Sequence, residues 1–440
     1  MHIHLLQVVK QRGVRSNKDT NGGYGTVNDF GRGLIAQGLK MLKNRTMNFP
    51  EILPAYVHAI LRKGGHEVTY GENAVDPRAD VVLIQTSIIN FNAELEWSGR
   101  LRSENPKVRL GFIGGMAAGN PEKYAACGDF VITGEVENAL LNGEIGDFNG
   151  IVDGGVVADL DSLPFPDWSH VSKWRDRYGF IHSLEGRFLP MLSSRGCPMS
   201  CAYYCTYPLT QGARFRARSP ESMIEEVTYL QKEFNMTTVL FRDPIFSLKM
   251  DRVAEFCELI LQHNLKFSWL CETHPRLLNA DLIALMARSG CIAVKLGIES
   301  ANLEVMKKSH RASADLSYQG EIVRLLEEHG IDVLAFYMIG YFDDDENSIL
   351  QTIDYAIHLN TYGAQFAVAT PYPGTPWYAA LSANPGEFRL DENLENYTQY
   401  RLVYDHPRLS FRQIEKLKSL AYQRYYLRLS YLRKHLLRLK

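Results

Sequence analysis

Short β-branched runs alternate with helical patterns twice along this chain, and a stretch that follows neither period separates the two series. That alternation constrains the fold most, because strands joined by helical returns form parallel sheets with helices on their faces. The first series reads HIHLLQVV, HEVTY, ADVVLIQTS, VRLGFIGG and DFVITGE, with the helix PEILPAYVHAILRKGG ending at Gly64 and Gly65. A long polar loop holding Gly22, Gly23, Gly25, Gly31 and Gly33 precedes that helix. A doubly wound sheet takes ligands beyond the carboxyl ends of its strands at the switch point, where Thr86, Ser87, Gly114, Gly115, Gly134 and Glu135 are expected.

Between about Leu141 and Glu185 the pattern breaks into glycines, acids and the turn-rich LPFPDW at 163–168, which reads as an interdomain linker. A second series follows: RFLPMLSS, TTVLFRD, KFSWLCE, CIAVKLGIES, IDVLAFYMIG and GAQFAVAT. Its first helix is the clearest, with Ser219 as cap, Pro220 at the first position, and Met223, Val227, Leu230 and Phe234 on one face. Six such units make a sheet that curls toward a barrel but stops short of a closed (β/α)8 fold. The expected fold class is therefore α/β: a flavodoxin- or Rossmann-like domain over 1–140, a linker over 141–185, a partial (β/α)6 barrel over 186–385 and a helical region over 386–440. The final 25 residues carry eight Lys or Arg and no acid. Such a helix either lies on a membrane surface or polyanion, or packs its Leu and Tyr face on the barrel with its charges solvated.

The net charge of −2 gives no pointer to nucleic acid. No apolar run approaches the roughly 20 residues that span a bilayer, and Leu5–Val9 is too short for a secretory signal. Seven cysteines in 440 residues do not make a disulfide scaffold, and a cytoplasmic, reducing location is expected.

Three of those cysteines, Cys197, Cys201 and Cys205, fall in SSRGCPMSCAYYC at C-x3-C-x3-C spacing, directly after a strand. Four extended residues reach at most about 14 Å, so the sulfurs converge if the loop curls, and Gly196, Pro198 and Ser200 suit a curl. Structural zinc ordinarily takes four ligands, often from C-x2-C pairs, and no second pair follows. Iron–sulfur clusters are usually held by four thiolates. A three-cysteine loop at a barrel mouth thus points to a cluster with one iron open to a substrate or cofactor, with zinc and plain packing as the other readings.

On this loop and the strand ends after it, the chain resembles the radical S-adenosylmethionine (SAM) enzymes over most of 186–380. The resemblance implies that Cys197, Cys201 and Cys205 bind a 4Fe–4S cluster whose fourth iron is chelated by SAM. The family's usual spacing is C-x3-C-x2-C, one residue shorter than here. By the same resemblance Tyr204 lies against adenine, Asp243 in FRDP accepts the SAM ammonium, Glu272 in WLCETHPR takes ribose hydroxyls and Arg276 pairs with a carboxylate. GIES supplies Glu299 and Ser300, Gly340 in MIGYFDDDE sits on the adenine side, and TPYPGTP at 370–376 lies near substrate. Tyr337, Tyr341, Tyr372 and Trp377 either border an apolar substrate or are core packing.

In the amino-terminal series a dinucleotide fingerprint is not met, since Gly31-Arg32-Gly33 is followed by Ala36 away from a strand. The segment resembles the cobalamin-binding domains that precede many radical SAM domains. That resemblance has Ser87 contacting the buried nucleotide tail and Gly114 and Gly115 letting backbone approach it. The D-x-H-x-x-G element is absent, and His58 and His66 read as surface or core residues; the other reading is a flavodoxin-like domain that binds nothing. The resemblance as a whole implies a class B cobalamin-dependent methyltransferase acting on an unactivated carbon or phosphorus centre of a small molecule. An electron donor such as flavodoxin or ferredoxin is implied with it. A non-methylating radical SAM enzyme is one alternative, and a zinc-stabilised nucleic-acid-binding module is another. The methylthiotransferase branch is disfavoured because residues 1–196 contain only Cys127.

Overall fold

The computed structural model describes residues 1–10, 17–27, 29–31, 36–38, 40–41, 50–171, 187–311 and 314–436. Gly33, Arg32, residues 172–185 of the stretch read as linker, residue 186 and the last four residues of the basic tail lie outside them. The first sheet is wholly parallel, in the order β2-β1-β3-β4-β5-β6: β1 (His2–Gln7), β2 (Glu67–Glu72), β3 (Val81–Gln85), β4 (Arg109–Ile113), β5 (Phe130–Thr133) and β6 (Gly150–Asp153). This is the flavodoxin-like order, with its switch point between β1 and β3. All five residues of β3 are buried, as its unbroken apolar run requires of a strand covered on both faces. β6 corrects the sequence reading, which placed this segment in the linker. It is a four-residue edge strand, mostly exposed, so it carries neither an apolar run nor a clean alternation.

The second sheet is also parallel, in the order β14-β13-β12-β11-β10-β7. It comprises β7 (Arg187–Met191), β10 (Met236–Phe241), β11 (Ser268–Thr273), β12 (Cys291–Glu299), β13 (Asp332–Ile339) and β14 (Gly363–Val368). Between β7 and β10 a short antiparallel ribbon pairs β8 (Ser194–Arg195) with β9 (Arg216–Ala217). These are the six strands expected from the sequence, curled into a partial barrel. The helix Pro220–Phe234 starts as expected, its Ser222 amide donating to Ser219 Oγ at 3.1 Å, with Met223, Val227 and Leu230 buried. Phe188, Leu240, Leu270 and Ala293 form a small apolar cluster at the floor of the lumen. Above it the period of two along β12 turns Lys295, Gly297 and Glu299 toward a cavity.

An incomplete barrel leaves two edge strands, β7 and β14. The helix Phe411–Tyr426 closes the β14 edge with tyrosine hydroxyls. Tyr426 Oη accepts from the Ala364 amide at 3.0 Å and donates to its carbonyl at 2.8 Å. Tyr422 does the same for Phe366, at 3.1 and 3.3 Å. An open edge strand invites pairing with another chain, and these hydroxyls occupy the groups that would pair. Tyr422→Phe and Tyr426→Phe are each expected to cost about 1–3 kcal/mol in urea unfolding, because each strands buried backbone groups.

The basic tail packs on the barrel, with three of its charges paired and Lys416 and Arg433 exposed. Lys418 contacts Glu415 at 2.8 Å, Arg424 contacts Asp354 at 2.7 Å and Lys434 contacts Glu327 at 2.7 Å. The acids belong mainly to the barrel and its helices, so no charge pattern within the tail announced them.

Candidate functional site

The cysteine loop springs from the ribbon β8–β9, which Arg195 and Arg216 tie to the amino-terminal domain. Arg195 contacts Glu137 at 2.6 Å and Arg216 contacts Glu135 at 2.6 Å. Gly196 has φ +80°, and a Cβ there would lie 2.1 Å from the Arg214 carbonyl oxygen, so the turn into Cys197 needs glycine. A short 3-10 turn, Ser200–Tyr203, follows, and the Cys205 amide donates to the Cys201 carbonyl at 2.9 Å. Cys201 and Cys205 are thereby i, i+4 partners, and i+4 shares a face of a helical turn as well as i+3 does. The residue added to the family spacing is absorbed in that turn.

The Cys205 thiol donates to Cys201 Sγ, and Arg311 Nη1 donates to the same sulfur at 3.1 Å. The Cys205 hydrogen bond and, against burial, the Arg311 charge hold Cys201 below the usual thiol range. Burial pushes Cys197 up. All three cysteines line one cavity of about 610 Å³. Among the described residues no group of three or more His, Cys, Asp or Glu side chains is placed to hold a single metal ion. Three thiols on one wall, with the other four cysteines elsewhere in the fold, suit a multi-iron cluster that leaves one iron without a protein ligand.

Charged side chains at the strand ends line the same cavity. Glu272 Oε1 accepts from Lys295 Nζ at 2.7 Å and Arg242 Nη1 at 3.1 Å. Burial alone would raise its pKa, but the two cations hold the carboxyl below its ordinary value. Glu299 accepts from Arg311 Nη2 at 2.7 Å, and Arg276 is exposed at the cavity. Tyr204 lines the same wall as the cysteines and meets Trp377 edge to face at 6.5 Å. Tyr337 also lines the cavity, whereas Tyr341 and Trp377 are buried behind Tyr204.

Two residues assigned from the resemblance stand apart from this cavity. Asp243 is fully buried and accepts from the Ser193 amide at 2.8 Å, Ser193 Oγ at 2.5 Å and Ser194 Oγ at 2.6 Å. Its carboxylate fixes the turn after β7. Gly340 has φ +74° and faces Ile414, whose Cδ1 would lie 3.2 Å from an added Cβ. It serves the packing of the edge-closing helix.

The amino-terminal candidates do lie at the carboxyl edge of the first sheet, beside its switch point, but the chain's own glycine loop covers them. Ser87 is fully buried, its Oγ donating to Glu94 at 2.9 Å and its amide to the other carboxylate oxygen at 3.0 Å. Glu94 also pairs with Lys18 Nζ at 2.9 Å, both side chains fully buried. A Cβ on Gly115 would lie 2.3 Å from the Gly22 carbonyl oxygen, and one on Gly23 would lie 2.9 Å from the Gly115 backbone. Residues 17–27 thus form a strap, held further by Tyr24 O to the Ile88 amide at 2.8 Å and Asn21 O to Thr206 Oγ1 at 2.5 Å. A cavity of only about 100 Å³ remains beneath it.

Lys295, Arg242 and Arg311 were not singled out from the sequence. A lysine inside the apolar run CIAVKLGIES, two residues before Gly297 on the same face, was the available signal for the first. Arg311 carried none, because its partners lie on other elements.

Residues 191–356 match the model of the radical SAM superfamily. The chain carries a radical SAM domain. It is 31% identical to the uncharacterised methyltransferase PH0819 of Pyrococcus horikoshii over 62% of this chain, and spans 58% of that relative's length. It is 24% identical to bacteriochlorophyllide d C-12(1)-methyltransferase of Chlorobaculum tepidum, over 75% of this chain and 71% of the relative. In fold it is similar to TsrM from Kitasatospora setae, solved with cobalamin and a 4Fe–4S cluster bound. The TM-score there is 0.63 at 13% identity, over 87% of this chain and 78% of that one. It is also similar to the cobalamin-dependent radical enzyme OxsB, with TM-score 0.68 at 13% identity, over 95% and 66%.

Proposed function

We propose that this radical SAM protein is a methyltransferase that acts on an unactivated carbon or phosphorus centre of a small molecule, in the cytoplasm, with a low-potential donor such as flavodoxin or ferredoxin. The observation that carries the reading is the set of three thiols lining one cavity together with the charged side chains of the strand ends. Cys197, Cys201 and Cys205 would hold a 4Fe–4S cluster. When bound, the cluster supplies an electron, SAM a radical source and methyl groups, and cobalamin a methyl carrier.

The chain's own part is binding and orientation. Tyr204 offers a ring face to adenine. Glu272, fixed by Lys295 and Arg242, presents a carboxylate whose orientation does not depend on the ligand, and Arg276 offers a carboxylate partner at the rim. The apolar strand face at Phe336 and Met338 excludes water from the reacting end. Asp243 lies behind the cavity wall, so the SAM ammonium has to find another acceptor, and Glu299 is the carboxylate nearest the cysteine loop through Arg311.

Cobalamin is proposed from the resemblance, the methyltransferase relatives and the fold likeness to TsrM and OxsB. The described residues do not fit its tail at Ser87, Gly114 and Gly115 while the strap lies there, since about 100 Å³ falls well short of the roughly 300 Å³ of an ordinary ligand site. No helix among the described residues is long and apolar enough to cross a membrane.

The deciding experiment is anaerobic reconstitution with iron, sulfide and hydroxocobalamin, followed by incubation with SAM and dithionite. Formation of 5′-deoxyadenosine together with retained cobalt supports the full reading. Formation of 5′-deoxyadenosine without cobalt selects a non-methylating radical enzyme, and the absence of both overturns the proposal.

A further inference from the structure

The cysteine loop has a cationic neighbour that comes from a different part of the chain. Arg311 follows the helix Leu303–Lys308, its amide donating to the Met306 carbonyl at 2.9 Å. Its guanidinium reaches back to the cavity and makes a fork: Nη1 to Cys201 Sγ at 3.1 Å and Nη2 to Glu299 Oε1 at 2.7 Å. Nε is buried with no hydrogen-bond partner, so the group holds a further donor in reserve.

Three features of β12 serve this placement. A Cβ on Gly297 would lie 3.0 Å from Arg311 Nη2, so the bare glycine makes room for the guanidinium. The register of β12 against β13 shifts between Gly297 and Glu299. Glu299 itself sits at φ +70°, a left-handed conformation that is strained for a glutamate. A bulge, a glycine and a strained glutamate at consecutive inward positions aim one carboxylate at one arginine. Tyr341 Oη backs the other carboxylate oxygen at 3.5 Å.

We propose that Arg311 sets the reduction potential of the cluster through its hydrogen bond to the Cys201 sulfur. The inference rests on the reading that Cys201 is a cluster ligand. The step concerned is a one-electron reduction of the oxidised cluster by a low-potential donor, dithionite in the test, with no bond made or broken in the protein. Added negative charge spreads onto the ligand sulfurs, and a charged donor on one of them stabilises the reduced form more than the oxidised form. Arginine keeps its charge across the working pH range, so the effect does not titrate. Lysine keeps the charge but concentrates it on a single ammonium without the planar fork that spans the sulfur and Glu299 in this geometry. Arg311 is thus a positioning residue for the electron, acting through Cys201.

The test is an EPR-monitored redox titration of anaerobically reconstituted full-length protein without SAM, for wild type, Arg311→Gln, Arg311→Lys and Glu299→Gln. Iron and sulfide contents are expected to match in all four. The midpoint is expected to move to more negative potential in Arg311→Gln and by less in Arg311→Lys, whereas Glu299→Gln, which removes a negative charge beside the fork, is expected to move it positive. If Arg311→Gln assembles no cluster, Arg311→Lys decides by its negative shift. A full cluster with an unmoved midpoint overturns the proposal, and doing so with weakened SAM binding reassigns Arg311 to the SAM carboxylate. A wild type without iron and sulfide overturns the parent reading along with it, and the metal count separates that result from the other failure.

Discussion

Cys197→Ala, Cys201→Ala and Cys205→Ala are each expected to lose the iron–sulfur cluster and to bring SAM cleavage down to background, with the barrel still folded. Among the described residues the three thiols are the only cysteines on the cavity wall, so no other cysteine there stands ready to replace one of them. The loop keeps its course without any single sulfur, because Gly196 makes the turn, the ribbon β8–β9 anchors its start and Thr206 bonds the strap at its end. Iron and sulfide content and chromatography of 5′-deoxyadenosine measure the first effect, and circular dichroism the second. Cys257→Ala is the control: that thiol is buried in the barrel core, well supplied with apolar neighbours, and its loss should leave iron content unchanged. A Cys205→Ala protein with full iron would mean that the added residue had put the third sulfur off the cluster.

Lys18→Met is expected to lower the stability of the amino-terminal domain by about 3–5 kcal/mol, the usual cost of removing one partner from a buried ion pair. Lys18 and Glu94 are both fully buried, and Lys18 also donates to the Gln85 carbonyl at 2.5 Å. Without the lysine, Glu94 is left with Ser87 alone, and burial then favours its protonated form more strongly still. The double variant Lys18→Met/Glu94→Leu should recover much of the loss, because no buried charge remains unpaired. Urea unfolding measures both. The same lysine nails the strap over Gly115, so Lys18→Met is also expected to retain more hydroxocobalamin than wild type in equilibrium dialysis. Equal retention would mean that the strap does not govern access to that edge of the sheet.

Periodicity made both sheets legible in the sequence, because parallel strands buried on both faces are unbroken apolar runs, as at VVLIQ. It missed β6, a short and mostly exposed edge strand with little apolar surface to betray it. Within the site, residues that sit on inward strand positions or on the cysteine loop were readable: Tyr204, Glu272, Arg276 and Glu299 all reach the cavity with the three thiols. Asp243 and Gly340 have the right neighbours in sequence, yet the Asp243 carboxylate is turned by Ser193 and Ser194 and Gly340 lies against Ile414, contacts distant in the chain. The strap over Gly115 was hidden for the same reason: the glycines at 22 and 23 read as a flexible loop, and only the tertiary fold shows that their lack of side chains lets them lie directly on a third glycine.

The most direct measurement is EPR of the dithionite-reduced, anaerobically reconstituted protein, recorded before and after SAM is added. A cage held by Cys197, Cys201 and Cys205 predicts about four irons and four sulfides per chain and a spectrum that changes when SAM takes the open iron. A protein that returns zinc in place of iron, or an iron signal that SAM leaves untouched, would contradict it.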